Sequence, residues 1–78
     1  METSLGNHLR VERAKRNLTQ EALAELVGVS RKTINTIETG RFVPSTIVAL
    51  RMAHALGVSV EDLFFLEDGA SGAHPTGT

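Results

Sequence analysis

LTQEALAELVGVSRKTINTIETGR, residues Leu18 to Arg41, reads as two short helices joined by a tight turn. Thr19 fits the N-cap of the first, because its hydroxyl can accept a hydrogen bond from an unpaired amide of the opening turn. From Gln20 onward Leu23, Ala24, Leu26 and Val27 recur at helical spacing and mark one buried face. Gly28 supplies the left-handed residue that ends a helix without a Cβ penalty. Ser30 is a second N-cap, and Ile34 and Ile37 give the following helix its apolar face before Gly40 closes it. The small Ala24 lets the second helix cross the first closely. A plain helical hairpin propping up a small core would account for these positions, but not for Arg31 and Lys32. Both stand in the first turn of the second helix, where the macrodipole favours acids and a misplaced cation costs roughly 0.3–1 kcal/mol at low ionic strength. A local rule broken in this way points to function. Cations at the leading tip of an exposed helix suit a polyanion.

Around this stretch the chain resembles the helix-turn-helix regulators of the phage-repressor and Cro type, the XRE family. The matching residues are Leu18-Thr19-Gln20-Glu21, Leu23-Ala24, Gly28-Val29-Ser30, Thr33-Ile34, Ile37-Glu38 and Gly40, continued by Pro44-Ser45 and Leu56-Gly57-Val58-Ser59. The resemblance spans about Leu9 to Phe64. It implies an all-α fold, a compact bundle of about five short helices of the lambda-repressor-like kind, with the helix at about 30–39 lying in the major groove of double-stranded DNA. Carried over position by position, it assigns base contacts to Arg31, Lys32, Thr33, Asn35 and Thr36. Arg31 or Lys32 would bond guanine O6 and N7, and the methyl of Thr33 or Thr36 would pack on a thymine methyl. Asn35 would read a base or bond a phosphate. Phosphate contacts fall to Arg10, Gln20, Ser30, Thr39 and Arg41. The arginine matching Arg13 often pairs with the glutamate matching Glu38, which would tie the first helix to the end of the third. Many members carry glutamine where this chain has Arg31 or Lys32, so the operator sequence does not carry over.

Seventy-eight residues make one domain with a small core. No cysteine is present, which excludes a disulfide framework and a cysteine-based zinc site. No apolar run approaches a membrane span and no secretory signal is visible, so a cytoplasmic protein is expected. The net charge of −1 conceals an uneven distribution. Residues 1–44 hold seven cations against five acids, a net of +2, and residues 45–78 hold one cation against four acids, a net of −3. A basic front and an acidic back can orient a domain on DNA.

Outside the central stretch, Met1 to Gly6 has no clear pattern and either frays or adds a short strand. A first helix is expected from about Asn7 to Arg16, and Asn17 fits its left-handed end. Among its cations, Lys15 reads as a solvated surface charge. Pro44 stops helical geometry behind it, and Ser45 caps a fourth helix, Thr46 to Leu56. Between Ile47 and Leu56 only Arg51 and His54 are not apolar, a pattern that wants burial on more than one side. Ser59-Val60-Glu61-Asp62 reads as a capping box opening a short helix through Leu63 and Phe64. Four consecutive bulky apolar residues, Leu63 to Leu66, cannot all face one core. The surplus predicts a homodimer interface of Val48, Met52, Ala55, Phe65 and Leu66. The domain is therefore set at residues 1–66, with 67–78 as a disordered polar tail.

His8, His54 and His74 are far apart and lack metal-ligand spacing. No phosphate loop, nucleophile motif or paired carboxylates stand out, so neither an enzyme nor a cofactor is expected. The leading function is a small sequence-specific transcriptional regulator, a repressor acting as a homodimer on a palindromic operator. The length leaves no room for a separate ligand-binding domain. The alternative is the antitoxin of a toxin–antitoxin pair, binding DNA and a protein toxin. A pure protein-interaction module is disfavoured by Arg31, Lys32 and Arg41.

Overall fold

The computed structural model describes residues 3–68. The element order is β1 (Thr3–Asn7), α1 (Leu9–Lys15), α2 (Gln20–Val27), α3 (Arg31–Glu38), α4 (Thr46–Leu56), α5 (Val60–Leu63) and β2 (Phe64–Asp68). The helical bundle is present, and a two-stranded antiparallel sheet is added to it.

Most helix boundaries follow from local chemistry. The hydroxyls of Thr19, Ser30, Ser45 and Ser59 each accept from the amide three residues on, and Asp62 completes the capping box at Ser59. Gly28 adopts φ 87°, and its N–H bonds the Ala24 carbonyl at 2.8 Å. This left-handed residue turns the chain sharply between α2 and α3. Asn17 takes φ 56° after α1, the one non-glycine residue with positive φ among those described.

The core gathers one face of every helix: Leu9 from α1, Leu23, Ala24 and Val27 from α2, Ile34 and Ile37 from α3, Met52, Ala53 and Leu56 from α4, then Leu63 and Phe64. Each fully buried large side chain contributes roughly 1.5–3 kcal/mol relative to exposure. α4 shows why its apolar circumference misleads. Met52 is completely buried in the chain's own core, so its assignment to a dimer interface is corrected. An unbranched thioether fills the irregular space between helices well. Val48 and Ala55 are half-buried against the same core. The large apolar side chains of α4 left to solvent are Ile47 and Leu50, 62% and 55% exposed.

The N-terminal segment forms a strand. β1 pairs with β2 in the register Ser4↔Glu67, Leu5↔Leu66, Gly6↔Phe65 and Asn7↔Phe64. The first helix consequently starts at Leu9, two residues later than expected, because Asn7 ends the strand and its Oδ1 accepts from the Leu9 N–H at 3.0 Å. Strand alternation also separates the bulky C-terminal residues. Phe64 points into the core, while Phe65 takes the opposite face. Its ring covers Gly6 and packs against His8, with ring centroids 4.7 Å apart. Leu66 shares the face of Phe64 but overhangs the core and is 76% exposed. Glu67 and Asp68, assigned to the tail, belong to β2. The rest of that tail, residues 69–78 with His74, lies outside the described residues.

Candidate nucleic-acid interface

α3 has two unlike faces. Ile34 and Ile37 are buried against α2 and the core. Arg31, Lys32, Asn35 and Thr39 are exposed, and Thr33 and Thr36 are half-buried. Spacings of three and four residues place 31, 32, 35, 36 and 39 on one outward face. Ser30 Oγ accepts from the Thr33 N–H at 3.1 Å and shares a hydrogen bond with the Thr33 hydroxyl at 2.9 Å. Both hydroxyls are thus committed to the helix start. The Thr36 hydroxyl donates to the Thr33 carbonyl at 3.0 Å, and the Thr39 hydroxyl donates to the Asn35 carbonyl at 3.0 Å. These bonds consume the donors and leave Thr36 to present its methyl. Among the described residues, no ion pair or side-chain hydrogen bond engages Arg31, Lys32 or Arg41. The Arg41 amide returns to the Thr36 carbonyl at 2.9 Å, folding the chain back beside the end of α3.

The base of α3 is fixed by a buried carboxylate. Glu38 has a fully buried side chain. Arg13 Nε donates to its Oε2 at 2.6 Å, and Nη2 donates to Oε1 at 3.3 Å. A third bond, from Arg13 Nη1 to the Leu18 carbonyl at 2.8 Å, joins the α1–α2 connection to the same guanidinium. Such a pair persists in a dry setting only when its remaining polar atoms are also satisfied. Gln20 supplies this by donating Nε2 to Glu38 Oε1 at 3.0 Å. Arg10 lies at the rim, its Nε 3.8 Å from Glu38 Oε1 and its side chain 71% exposed.

Lys15 and Arg16, at the end of α1, are already occupied. Glu12 pairs with Arg16 at 2.8 Å and Lys15 at 3.2 Å. The hydrogen bond from Arg16, then that from Lys15, holds the Glu12 carboxyl below the usual glutamate range.

Two functional arrangements escape sequence reasoning. Gln20, expected at a phosphate, has its side-chain donors engaged inside the protein, by Glu38 and by Asn35 Oδ1 at 3.2 Å. Asn7 donates Nδ2 to the Ile37 carbonyl at 3.0 Å, which attaches the sheet to the last turn of α3. A terminal asparagine before an apolar helix start hints at capping, but nothing local reveals the second bond.

No helix among the described residues is long and apolar enough to cross a membrane. Residues 4–64 match the family model described as a helix-turn-helix domain. The chain is 55% identical over 64 residues to an uncharacterized HTH-type transcriptional regulator of Methanothermobacter thermautotrophicus, covering 80% of this chain and 93% of that protein. The P22 c2 repressor, solved in complex with a synthetic operator, superposes with a TM-score of 0.66 at 32% identity over 68% of this chain and 80% of that one. The restriction-modification controller protein C.AhdI of Aeromonas hydrophila gives 0.66 at 33% identity, over 69% and 82% of the two chains. With its capped helix pair and outward cationic face, this chain belongs to the helix-turn-helix family of DNA-binding transcriptional regulators, of the phage-repressor and Cro type.

Proposed function

We propose that the protein is a repressor that binds a palindromic operator as a homodimer, with α3 in the major groove. The observation that carries this is the outward face of α3, where Arg31 and Lys32 lead and no partner among the described residues holds them. The likeness to the P22 c2 repressor supports the same docking. Arg31 and Lys32 read bases, joined by Asn35 and the Thr33 and Thr36 methyls. Arg10, Ser30, Thr39 and Arg41 lie beside the backbone. Gln20 contributes its main-chain amide at the first position of α2, since its side-chain donors are in use.

Base contacts specify and phosphate contacts position. Arg31→Ala should therefore lose roughly 1–3 kcal/mol on the selected operator and relax preference at one base pair. Arg41→Ala should weaken operator and random DNA alike and lower the salt slope by about one unit. The assay is binding of both DNAs across a salt series. If Arg31→Ala weakens both equally while Arg41→Ala changes base preference, the docking is wrong.

The dimer is supported by a continuous apolar face. Phe42, Val43 and Leu66 border one groove, Leu50 borders the next, and Leu5, Pro44 and Phe64 line both. Two copies joined there would present their α3 helices about 34 Å apart, one turn of DNA. Sedimentation should show a dimer at micromolar concentration that Leu66→Lys converts to monomer. A wild-type monomer would refute this arrangement and leave the face to a protein toxin, as the antitoxin reading requires.

A further inference from the structure

An ionised carboxylate only accepts hydrogen bonds. Glu38 Oε1 stands 3.0 Å from Gln20 Nε2. Turning the Gln20 amide over would set two acceptor oxygens against each other, so its nitrogen must face inward. The same nitrogen lies 3.2 Å from Asn35 Oδ1. It carries two hydrogens, one for Glu38 and one for Asn35. Because an amide nitrogen cannot accept, the Asn35 atom facing it must be the oxygen, and Nδ2 is turned away. The polarity of an exposed side chain is thus set, through two hydrogen bonds, by a fully buried carboxylate.

We propose that Asn35 is a donor-only reader of base edges, oriented by Gln20 and Glu38 as positioning residues. This rests on the reading that α3 enters the major groove. The usual two-point contact of asparagine with adenine needs Oδ1 to accept from N6 while Nδ2 donates to N7. Here Oδ1 is held toward Gln20 and only the donor faces outward. Guanine offers O6 and N7 side by side as acceptors and thymine offers O4; adenine offers N7 but sets its N6 donor beside it, and cytosine presents a donor at N4. Asn35 therefore favours guanine or thymine at one position, disfavours adenine, whose N6 donor would face its own, and rejects cytosine.

The test is selection of DNA fragments from a random pool by the wild type, Asn35→Asp and Gln20→Ala. The wild type should enrich guanine or thymine at one position. Asn35→Asp keeps an oxygen toward Gln20 but turns a second acceptor outward, and should shift that position to cytosine or adenine by about fivefold to tenfold, the worth of one hydrogen bond. It also brings a second carboxylate near Glu38, so Gln20→Ala is the arm that decides if that variant does not fold. Gln20→Ala frees the Asn35 amide to rotate and should admit adenine at the same position. If the wild type already enriches adenine there, or if both variants leave every position unchanged, the inference is overturned. A wild type that enriches no sequence overturns the proposed function, and the base-reading role with it. The relay is tested without DNA by side-chain amide exchange in the free protein. Gln20 is the sole glutamine, so its signals are unambiguous. Its amide hydrogens should exchange more slowly than those of the exposed Asn17 and should quicken in Asn35→Ala; exchange as fast as Asn17 would show that the relay does not form.

Discussion

Removing either partner of the Arg13–Glu38 pair should destabilise the protein unequally. Glu38 has no exposed side-chain surface, and Arg13 has 16%. Arg13→Ala strands a buried carboxylate with Gln20 and the distant Arg10 as its remaining partners. Breaking a buried pair in this way costs about 3–5 kcal/mol. Glu38→Ala leaves the arginine its Leu18 carbonyl and some solvent, so about 2 kcal/mol is expected, within the range for a charged group that loses one partner. The double variant removes both charges and should recover part of the loss, giving a coupling of about 1–3 kcal/mol. A domain of this size has a total stability of roughly 4–12 kcal/mol, so each single loss is a large fraction of it. Urea unfolding of the four proteins measures the cycle, run at low temperature or in osmolyte where Arg13→Ala is too unstable at ambient conditions. The coupling should persist in high salt, because buried pairs are poorly screened. A coupling near zero, or Glu38→Ala costing more than Arg13→Ala, would refute the reasoning.

Gly6→Val should destabilise by about 1–3 kcal/mol, since a Cβ at Gly6 collides with Cε2 and Cζ of the Phe65 ring and the ring must leave the strand; thermal melts check this, and a change under 0.5 kcal/mol would mean the ring moves aside freely. The Glu12 carboxyl should titrate below an ordinary glutamate by carbon-detected NMR. Its folded value is the lower one, so the stability it contributes is present above the unfolded value and is lost as pH falls through the folded one. Because the pair with Arg16 and Lys15 lies at the surface, high salt should return the titration toward the ordinary value.

The parts of this fold that are legible in the sequence are those written in neighbouring residues. Thr19, Ser30, Ser45 and the Ser59–Asp62 box each name a helix start within four residues, and each is used as such. The outward face of α3 is equally local, since periodicity alone separates Arg31, Lys32 and Asn35 from Ile34 and Ile37. The sheet is different. Its strands, TSLGN and FFLED, are short, lie at opposite ends of the described chain and owe their register to packing rather than to a turn. α4 is apolar on most sides, so its sequence does not say which side the core takes; the core takes the side that carries Met52. At the site, the residue types were readable but their occupancy was not. Whether Gln20 has a free donor depends on Glu38, eighteen positions away.

The closure of the sheet bears on the order in which the molecule assembles. Helical turns form from residues close in sequence, whereas β1 and β2 must first bring chain ends together across the whole domain, at an entropic cost that local contacts do not face. The pairing of α2 with α3 can thus precede it. Asn7 reaches the Ile37 carbonyl from the end of β1, and the His8 amide reaches the Leu63 carbonyl from beside it. Both bonds join the N-terminal segment to residues at least thirty positions away, so they share the entropic cost of that closure. The last turn of α3 is therefore tied down by a long-range step, and a nascent chain can complete that attachment only after the helices it spans have been synthesised.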